Sequence, residues 1–235
     1  GVPVVWGGIY VSLDTEFTFK NIDIDFVSIS AGEATWLELV NTLEAGGDPT
    51  KVAGLAYKKD GKVIYTPQRE FMDLSLLPPI DFTLIEVDKY LGAMYGCKRT
   101  ALLYLSKGCF GQCTFCFNKR FHRQCYRMRP VEVFLKEVEY LIKNHDVDCI
   151  YVADELFCRN SGEMREICKA FKESGLNFKW GVETRVGIFG KEDFEIMKDA
   201  GCIWIAFGIE TGSPSMMKKI KKNLPFDKIE QTFED

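Results

Sequence analysis

The sequence has no apolar run of the roughly 18 to 20 residues that a membrane-spanning helix requires, and no apolar segment typical of a secretion signal opens it. It also lacks a strong excess of either charge, since the formal net charge over 235 residues is −4. This mildly acidic total argues against non-specific binding to nucleic acid. With 46% hydrophobic and 13% aromatic residues, disorder and fibrous folds are excluded. We expect a cytoplasmic protein without a membrane span.

Cysteine, in contrast, is abundant. The chain has nine cysteines, and they are too unevenly spaced for a small disulfide scaffold. In a reducing compartment such a number indicates metal or redox chemistry.

Residues 1–47 are predicted to be the truncated end of a doubly wound α/β domain. An apolar run at 2–6 precedes Gly7-Gly8, which is typical of a buried parallel strand that ends in a tight turn. A short helix is predicted at 14–21, with Asp14 as its cap. A second buried strand is predicted at 26–30, followed by a helix that ends at Gly46-Gly47. This strand–helix–strand–helix order predicts the C-terminal part of such a domain.

Residues 48–98 have an irregular pattern. Two short apolar segments, at 54–57 and 62–65, flank Asp60-Gly61, which is a strong signal for a β-hairpin. We interpret 48–98 as a structured linker that contains this hairpin.

Residues 99–235 alternate again between apolar runs and helical patterns. Strands are predicted at 101–105, 149–153, 178–182 and 202–209, and helices at 130–143, 162–174 and 191–200. Four consecutive βα units imply parallel strands with right-handed crossovers, as in a (β/α) barrel. Because four strands cannot close a barrel and no initiator methionine precedes Gly1, we expect a fragment with a partial barrel that is poorly stable alone.

Three cysteines follow the first strand of this stretch: Cys109, Cys113 and Cys116. On one loop at the carboxyl end of a strand, their thiolates can converge on one inorganic centre, and thiolates suit iron–sulfur clusters. Three ligands would leave one iron of a [4Fe–4S] cluster open. Zinc is the alternative, but His122 is the only histidine near the motif. Three unrelated core cysteines are the other alternative.

With Phe115 before its third cysteine, this motif resembles that of the radical S-adenosylmethionine (radical SAM) enzymes. The resemblance implies that Cys109, Cys113 and Cys116 hold a [4Fe–4S] cluster whose open iron binds SAM. One-electron reduction would then cleave SAM to methionine and a 5′-deoxyadenosyl radical.

Polar residues at the ends of the later predicted strands fit the same resemblance. Asp154 and Glu155 occupy the place where the family has acidic residues near the SAM amino group; capping of the next helix is the alternative. Arg185 is predicted to pair with a carboxylate of SAM or substrate, unless it forms a surface salt bridge. Glu210, in a Gly-Ile-Glu-Thr-Gly sequence that is similar to the family's Gly-Ile-Glu-Ser-Gly, is predicted to contact the ribose or methionine end of SAM, with a structural role as the alternative. Arg185 and Glu210 are the candidate catalytic residues.

The first stretch resembles the end of the cobalamin-binding domain that precedes the barrel in one radical SAM subgroup. Gly7 and Gly8 match its Gly-Gly turn, where small residues let a nucleotide tail approach the backbone. Tyr10 stands where histidine is frequent, and Ser30-Ala31 replaces the first Gly-Glu of a later turn. A degenerate domain that binds no cofactor is therefore the alternative.

Together, these features predict a radical SAM enzyme that methylates an unactivated carbon with cobalamin. The alternative within enzymes is radical oxidation, cyclisation or methylthiolation without methylcobalamin, and the alternative of another class is a metal-bearing RNA-binding module. The enzyme reading implies a small-molecule substrate and a one-electron reductant of the flavodoxin or ferredoxin type.

The other basic clusters and two of the other cysteines are predicted to have structural roles. The basic run at 119–129 is interpreted as a loop whose cations offset charge near the cluster, with RNA binding as the alternative. Lys218-Lys219 and Lys221-Lys222 are predicted to lie on a solvated helix face. Cys149 and Cys202 are predicted to be small core residues.

Overall fold

The computed structural model describes all residues from Gly1 to Asp235. The chain divides into two compact units: Gly1–Asp73 with Cys116–Gln124, and Leu74–Phe115 with Cys125–Asp235. None of the helices combines the length and the apolar composition that crossing a membrane requires.

Short strands and helices alternate along the chain. The strands are Val5–Trp6 (β1), Phe26–Ser28 (β2), Leu55–Lys59 (β3), Lys62–Tyr65 (β4), Gly92–Met94 (β5), Cys97–Leu103 (β6), Ser106–Lys107 (β7), Arg127–Met128 (β8), Cys149–Val152 (β9), Lys179–Thr184 (β10) and Cys202–Phe207 (β11). The α-helices are Ile9–Leu13 (α1), Thr15–Asn21 (α2), Glu33–Glu44 (α3), Asn118–Phe121 (α4), Val131–His145 (α5), Ser161–Glu173 (α6), Lys191–Asp199 (α7), Pro214–Lys219 (α8) and Phe226–Glu234 (α9).

The first unit is a four-stranded sheet with apolar clusters on both faces. Its strand order is β1-β2-β3-β4, and only β1 and β2 are parallel. Successive residues of β2 point to opposite faces: Val27 packs with Val11 and Phe19, whereas Phe26 packs with Leu39 of α3. Helices therefore cover both faces, as predicted for a doubly wound domain.

The hairpin predicted inside a linker is part of this first sheet. Strand β3 pairs antiparallel with β2, with Val27 opposite Ala56, and both residues are fully buried. The pairing satisfies the backbone groups along the edge of β2. The boundary between the two compact units falls within 48–98, since residues up to Asp73 belong to the first unit and the second unit begins at Leu74.

The second unit contains the predicted parallel sheet. Its strand order is β11-β10-β9-β6-β5; β6, β9, β10 and β11 are parallel, and β5 adds an antiparallel edge. The sheet stays open, since β5 and β11 form its two edges. The prediction of an α/β fold with an incomplete barrel is confirmed.

Helices α5, α6 and α7 pack on one face of this sheet and form the main core. Phe134 and Met164 on the helices and Ile150 and Trp180 on the strands are all at most 1% exposed. Because the four strands are parallel, their carboxyl ends meet at one edge, where the predicted site residues lie.

Candidate active site

The three cysteines of the motif lie on the loop 108–117, called here the cysteine loop, which connects β7 to α4. Cys113 is buried, and Cys109 and Cys116 are half-buried. None of the nine cysteines forms a disulfide. The loop therefore has accessible thiols at the edge of the sheet where the parallel strands end.

Two of these thiols converge around Gly111. A Cβ atom at position 111 would lie 3.3 Å from Cys109 Sγ, 3.9 Å from Cys113 Sγ and 3.5 Å from Arg185 Nη1. The Gly111 amide also donates to Cys109 Sγ at 3.3 Å. A side chain at this position would be in tight contact with Cys109 Sγ, so glycine lets two thiols and a guanidinium group lie close to one backbone segment. Soft thiol donors near one another, with a cation beside them to offset thiolate charge, fit an iron–sulfur cluster.

No three His, Cys, Asp or Glu side chains are gathered around the position of a single metal ion. Cys116 follows three residues after Cys113 and completes the motif along the chain.

The acidic pair after β9 supports the start of the cysteine loop. Asp154 is 2% exposed and accepts hydrogen bonds from the amides of Leu105 and Ser106 at 2.8 and 2.9 Å and from Ser106 Oγ at 2.7 Å. Glu155 Oε2 accepts from the Gly108 amide at 2.9 Å. Burial raises the pKa of Asp154 to about 7, although the donated hydrogen bonds act in the opposite direction. The pair thus holds the backbone that leads into Cys109, and contact of either carboxyl with SAM stays a prediction.

Residues after β10 and β11 lie against the same loop. The amide of Thr114 donates to the Ile220 carbonyl at 2.9 Å, and Arg185 donates to the Lys222 carbonyl. Lys222 Nζ lies 2.6 Å from Glu210 Oε1 and 6.0 Å from the centroid of the Phe115 ring. The structure therefore places Arg185 and Glu210 near the cysteine loop, which includes Phe115; the contacts of all three with SAM stay predictions.

The sequence patterns did not indicate that Lys222 belongs to the site. The run of lysines predicted a solvated helix face, but α8 ends at Lys219 and the chain turns at Lys221, whose φ is 55°. As a result the Lys222 side chain is only 12% exposed. Lys222 and Glu210 lie 12 residues apart and outside any helix or strand, so no local period in the sequence indicated the pair.

Gly7 and Gly8 lie in the first unit, between β1 and α1. The φ of Gly8 is 109°, a conformation that residues with a Cβ rarely adopt, and a Cβ there would have no atom within 4 Å. The predicted tight turn is thus present and has open space beside it. Binding of a nucleotide tail at this turn stays a prediction.

Four other cysteines lie outside the motif in or against the core. Burial raises the pKa of Cys149, Cys168 and Cys202 to about 12, and that of Cys158 still further. Since the thiolate is the reactive form, burial disfavours reaction at these thiols. Core packing explains them, as predicted for Cys149 and Cys202.

The basic run at 119–129 does not form one continuous exposed surface. Arg129 is buried and lies 2.5 Å from Glu137, and the guanidinium of Arg123 lies 3.9 Å from the centroid of the Phe71 ring. At these two positions the cations stabilise the fold itself.

A parallel α/β sheet with three cysteines on the loop after its first parallel strand defines an α/β protein of the iron–sulfur enzyme class. Residues 103–235 match the family described as the radical SAM superfamily, and the chain belongs to this family. The predicted family is therefore confirmed. So are the cofactors that membership implies, a [4Fe–4S] cluster and SAM.

Similar proteins include two curated relatives. The uncharacterized methyltransferase PH0819 of Pyrococcus horikoshii is 31% identical over 227 residues, covering 95% of this chain and 48% of that protein. The anaerobic magnesium-protoporphyrin IX monomethyl ester cyclase of Rubrivivax gelatinosus is 30% identical over 229 residues, covering 94% and 41%. The chain thus spans less than half the length of these relatives.

The fold is also similar to that of a solved structure. The cobalamin-dependent S-adenosylmethionine radical enzyme OxsB, with aqua-cobalamin and S-adenosylmethionine bound, superposes with a TM-score of 0.80 at 22% identity. The superposition covers 95% of this chain and 33% of OxsB. At this identity the similarity concerns the fold.

Proposed function

We propose that this chain carries the radical-generating part of an enzyme that methylates an unactivated carbon of a small molecule with the help of cobalamin. The observation that carries the proposal is the close approach of two cysteine thiols and Arg185 around Gly111, in a chain of the radical SAM family. The nine free thiols favour a reducing compartment such as the cytoplasm.

Three thiolates and one open iron are what this chemistry needs. Cys109, Cys113 and Cys116 would each bind one iron and leave the fourth for SAM. When bound, the cluster supplies the single electron that cleaves SAM to methionine and the 5′-deoxyadenosyl radical, which then takes a hydrogen atom from the substrate. The electron itself would come from a flavodoxin- or ferredoxin-type reductant. The hydrogen-bonded backbone around the loop serves to keep the thiols in place.

Side chains around the loop would bind and orient SAM. Arg185, beside the two thiols, is suited to pair with the carboxylate of the methionine moiety. Glu210 is 40% exposed and can accept hydrogen bonds from the ribose hydroxyls or the amino group. Phe115 is 58% exposed and can pack beside SAM. Glu155 is half-buried at the Gly108 amide, and the predicted contact of Asp154 and Glu155 with the amino group is part of the same proposal.

Cobalamin binding would involve the first unit. Gly8 has open space beside it at the carboxyl end of β1, whereas a Cβ at Gly7 would lie 3.5 Å from Ser28 Cβ. The backbone at Gly8 would thus be accessible to a nucleotide tail. A bound cobalamin would supply the methyl group. Two names support this assignment: OxsB is named a cobalamin-dependent enzyme, and the Pyrococcus relative is named a methyltransferase.

Radical cyclisation is the second candidate, because the Rubrivivax relative is named a cyclase at nearly the same identity. Both reactions would use the same cluster and SAM site. They differ in whether a methyl group from SAM is found in the product, and in whether added cobalamin is required. Methyl transfer that is independent of cobalamin, or cobalamin-dependent ring formation without methylation, would contradict the first assignment.

The cluster assignment is tested with anaerobically reconstituted protein and dithionite, by measuring 5′-deoxyadenosine. We expect Cys113→Ala to abolish SAM cleavage, since one iron loses its ligand, with an unchanged circular dichroism spectrum. Cys125→Ala is the matched control, because Cys125 is half-buried outside the motif, and it should retain cleavage. Retained cleavage in Cys113→Ala would refute the ligand assignment, and stoichiometric zinc without SAM turnover in the wild type would favour a structural metal-bearing module.

A further inference from the structure

Lys222 is a largely buried cation at the edge of the cysteine loop. Its side chain is 12% exposed, and its ammonium lies 2.6 Å from Glu210 Oε1 and 6.0 Å from the centroid of the Phe115 ring. Burying an ammonium group is unfavourable unless a partner compensates for the lost hydration. The position of Lys222 therefore depends on its ion pair with Glu210.

The backbone around Lys222 is attached to two separate parts of the site. The Ile220 carbonyl accepts from the Thr114 amide at 2.9 Å, within the cysteine loop. The Lys222 carbonyl accepts from Arg185, which follows β10. These bonds fix the lysine main chain relative to the loop, so the ammonium has few alternative positions.

Glu210 has an unusual backbone conformation. Its φ is 71°, in the left-handed region that a residue with a long side chain adopts only when its surroundings enforce it. Such conformations concentrate at ligand-binding sites, where they direct a side chain to a required place. The ion pair with Lys222 is one of the interactions that hold this side chain.

Gly208 provides the space for the ion pair. A Cβ at position 208 would lie 2.7 Å from Lys222 Nζ and 2.9 Å from Glu210 Oε1. Both atoms are ends of flexible side chains, so an added methyl group would displace them and leave the backbone in place. The pair can therefore be disturbed without removing either charge.

We propose that Lys222 is a positioning residue that orients the Glu210 carboxylate toward SAM. One carboxylate oxygen is held by the ammonium, and the group stays 40% exposed, so it remains accessible to the hydroxyl or amino donors of a nucleoside-containing ligand. This inference rests on the proposed function, because it takes SAM as the ligand of Glu210. Lys222 would thus belong to the SAM site without contacting SAM, because it acts through Glu210.

The test measures the dissociation constant of radiolabelled SAM and the iron content of the anaerobically reconstituted protein. Lys222→Met and Gly208→Ala are each expected to weaken SAM binding by about tenfold, the scale of one charge-assisted hydrogen bond, with unchanged iron content. Lys222→Arg should restore most of the affinity. Lys221→Met is the matched control, because Lys221 is an exposed neighbour, and it should bind SAM like the wild type.

A double-variant comparison separates positioning from a merely structural role. In a Glu210→Gln background, Lys222→Met should have little further effect on the SAM dissociation constant, since the group that it orients is already altered. Fully additive effects of Lys222→Met and Glu210→Gln on the SAM dissociation constant would overturn the inference. It would also be overturned if Lys222→Met and Gly208→Ala both left that constant unchanged, or if both lost iron. If any of these results is obtained while the wild type binds SAM, only the role of Lys222 is refuted. If the wild type takes up iron but binds no SAM, the proposed function is refuted as well.

Discussion

Replacing Arg129 by methionine tests how much a buried ion pair contributes to the second unit. Arg129 Nη2 lies 2.5 Å from Glu137 Oε1, and the two side chains are 7% and 0% exposed. Arg129 Nη1 also donates to the Tyr104 carbonyl at 3.0 Å, and the Ile80 amide donates to Glu137 Oε1 at 2.8 Å. The pair thus links α5 to the segment after β6 and to the chain before β5.

The expected loss follows from what the substitution leaves behind. In Arg129→Met the Glu137 carboxylate stays buried and keeps its hydrogen bond from the Ile80 amide, but it loses its ion pair. The Tyr104 carbonyl loses the hydrogen bond that the guanidinium donates to it. Removing one partner of a buried ion pair typically lowers the free energy of unfolding by about 3–5 kcal/mol. Urea denaturation followed by far-ultraviolet circular dichroism measures this loss directly.

The control is a substitution to methionine at an exposed pair. Lys143 pairs with Glu139 one helical turn away, and the two side chains are 67% and 44% exposed, so Lys143→Met should cost less than about 1 kcal/mol. The double variant Arg129→Met/Glu137→Gln removes the uncompensated charge and should recover part of the loss. A loss under about 1 kcal/mol in Arg129→Met, or no recovery in the double variant, would refute the reasoning.

Two further predictions concern the sheet. Burial raises the pKa of Asp154 to about 7 from its ordinary 3.8, so the stability that this group contributes is fully present below about pH 4 and is lost as the pH rises to about 7. Asp154→Asn should lack that loss in urea denaturation across this range, and an equal pH dependence in both proteins would contradict the assignment. A Cβ at Gly181 would overlap the indole ring of Trp204, so Gly181→Ala should lower the free energy of unfolding by about 1–3 kcal/mol and change the tryptophan fluorescence. Gly92→Ala, where a Cβ meets no atom within 4 Å, is the control, and equal losses in the two variants would show that the contact with Trp204 is not the cause.

Local patterns predicted most of the second unit. The apolar runs indicated the four parallel strands, and the helical patterns indicated α5, α6 and α7. The boundaries were less accurate at the site: the strand predicted at 101–105 is Cys97–Leu103, because Ser106 and Lys107 leave the main sheet and pair with β8. Strand ends depend on which partner supplies the next backbone hydrogen bonds, and a single apolar run does not contain that information.

The sequence by itself determined the chemistry of this protein. Three thiols at short spacing after a strand identify the kind of cofactor, because ligand type and spacing are local properties of the chain. Only the tertiary structure decided which charged groups surround them. The Asp154–Leu105 hydrogen bond joins residues 49 positions apart and depends on β6 and β9 lying side by side in parallel. The Lys222–Glu210 pair joins residues 12 apart and depends on the turn after α8, which brings the chain back to the segment that follows β11. The burial that makes Lys222 a paired cation and raises the pKa of Asp154 arises only in the tertiary structure, since desolvation is a property of the assembled fold.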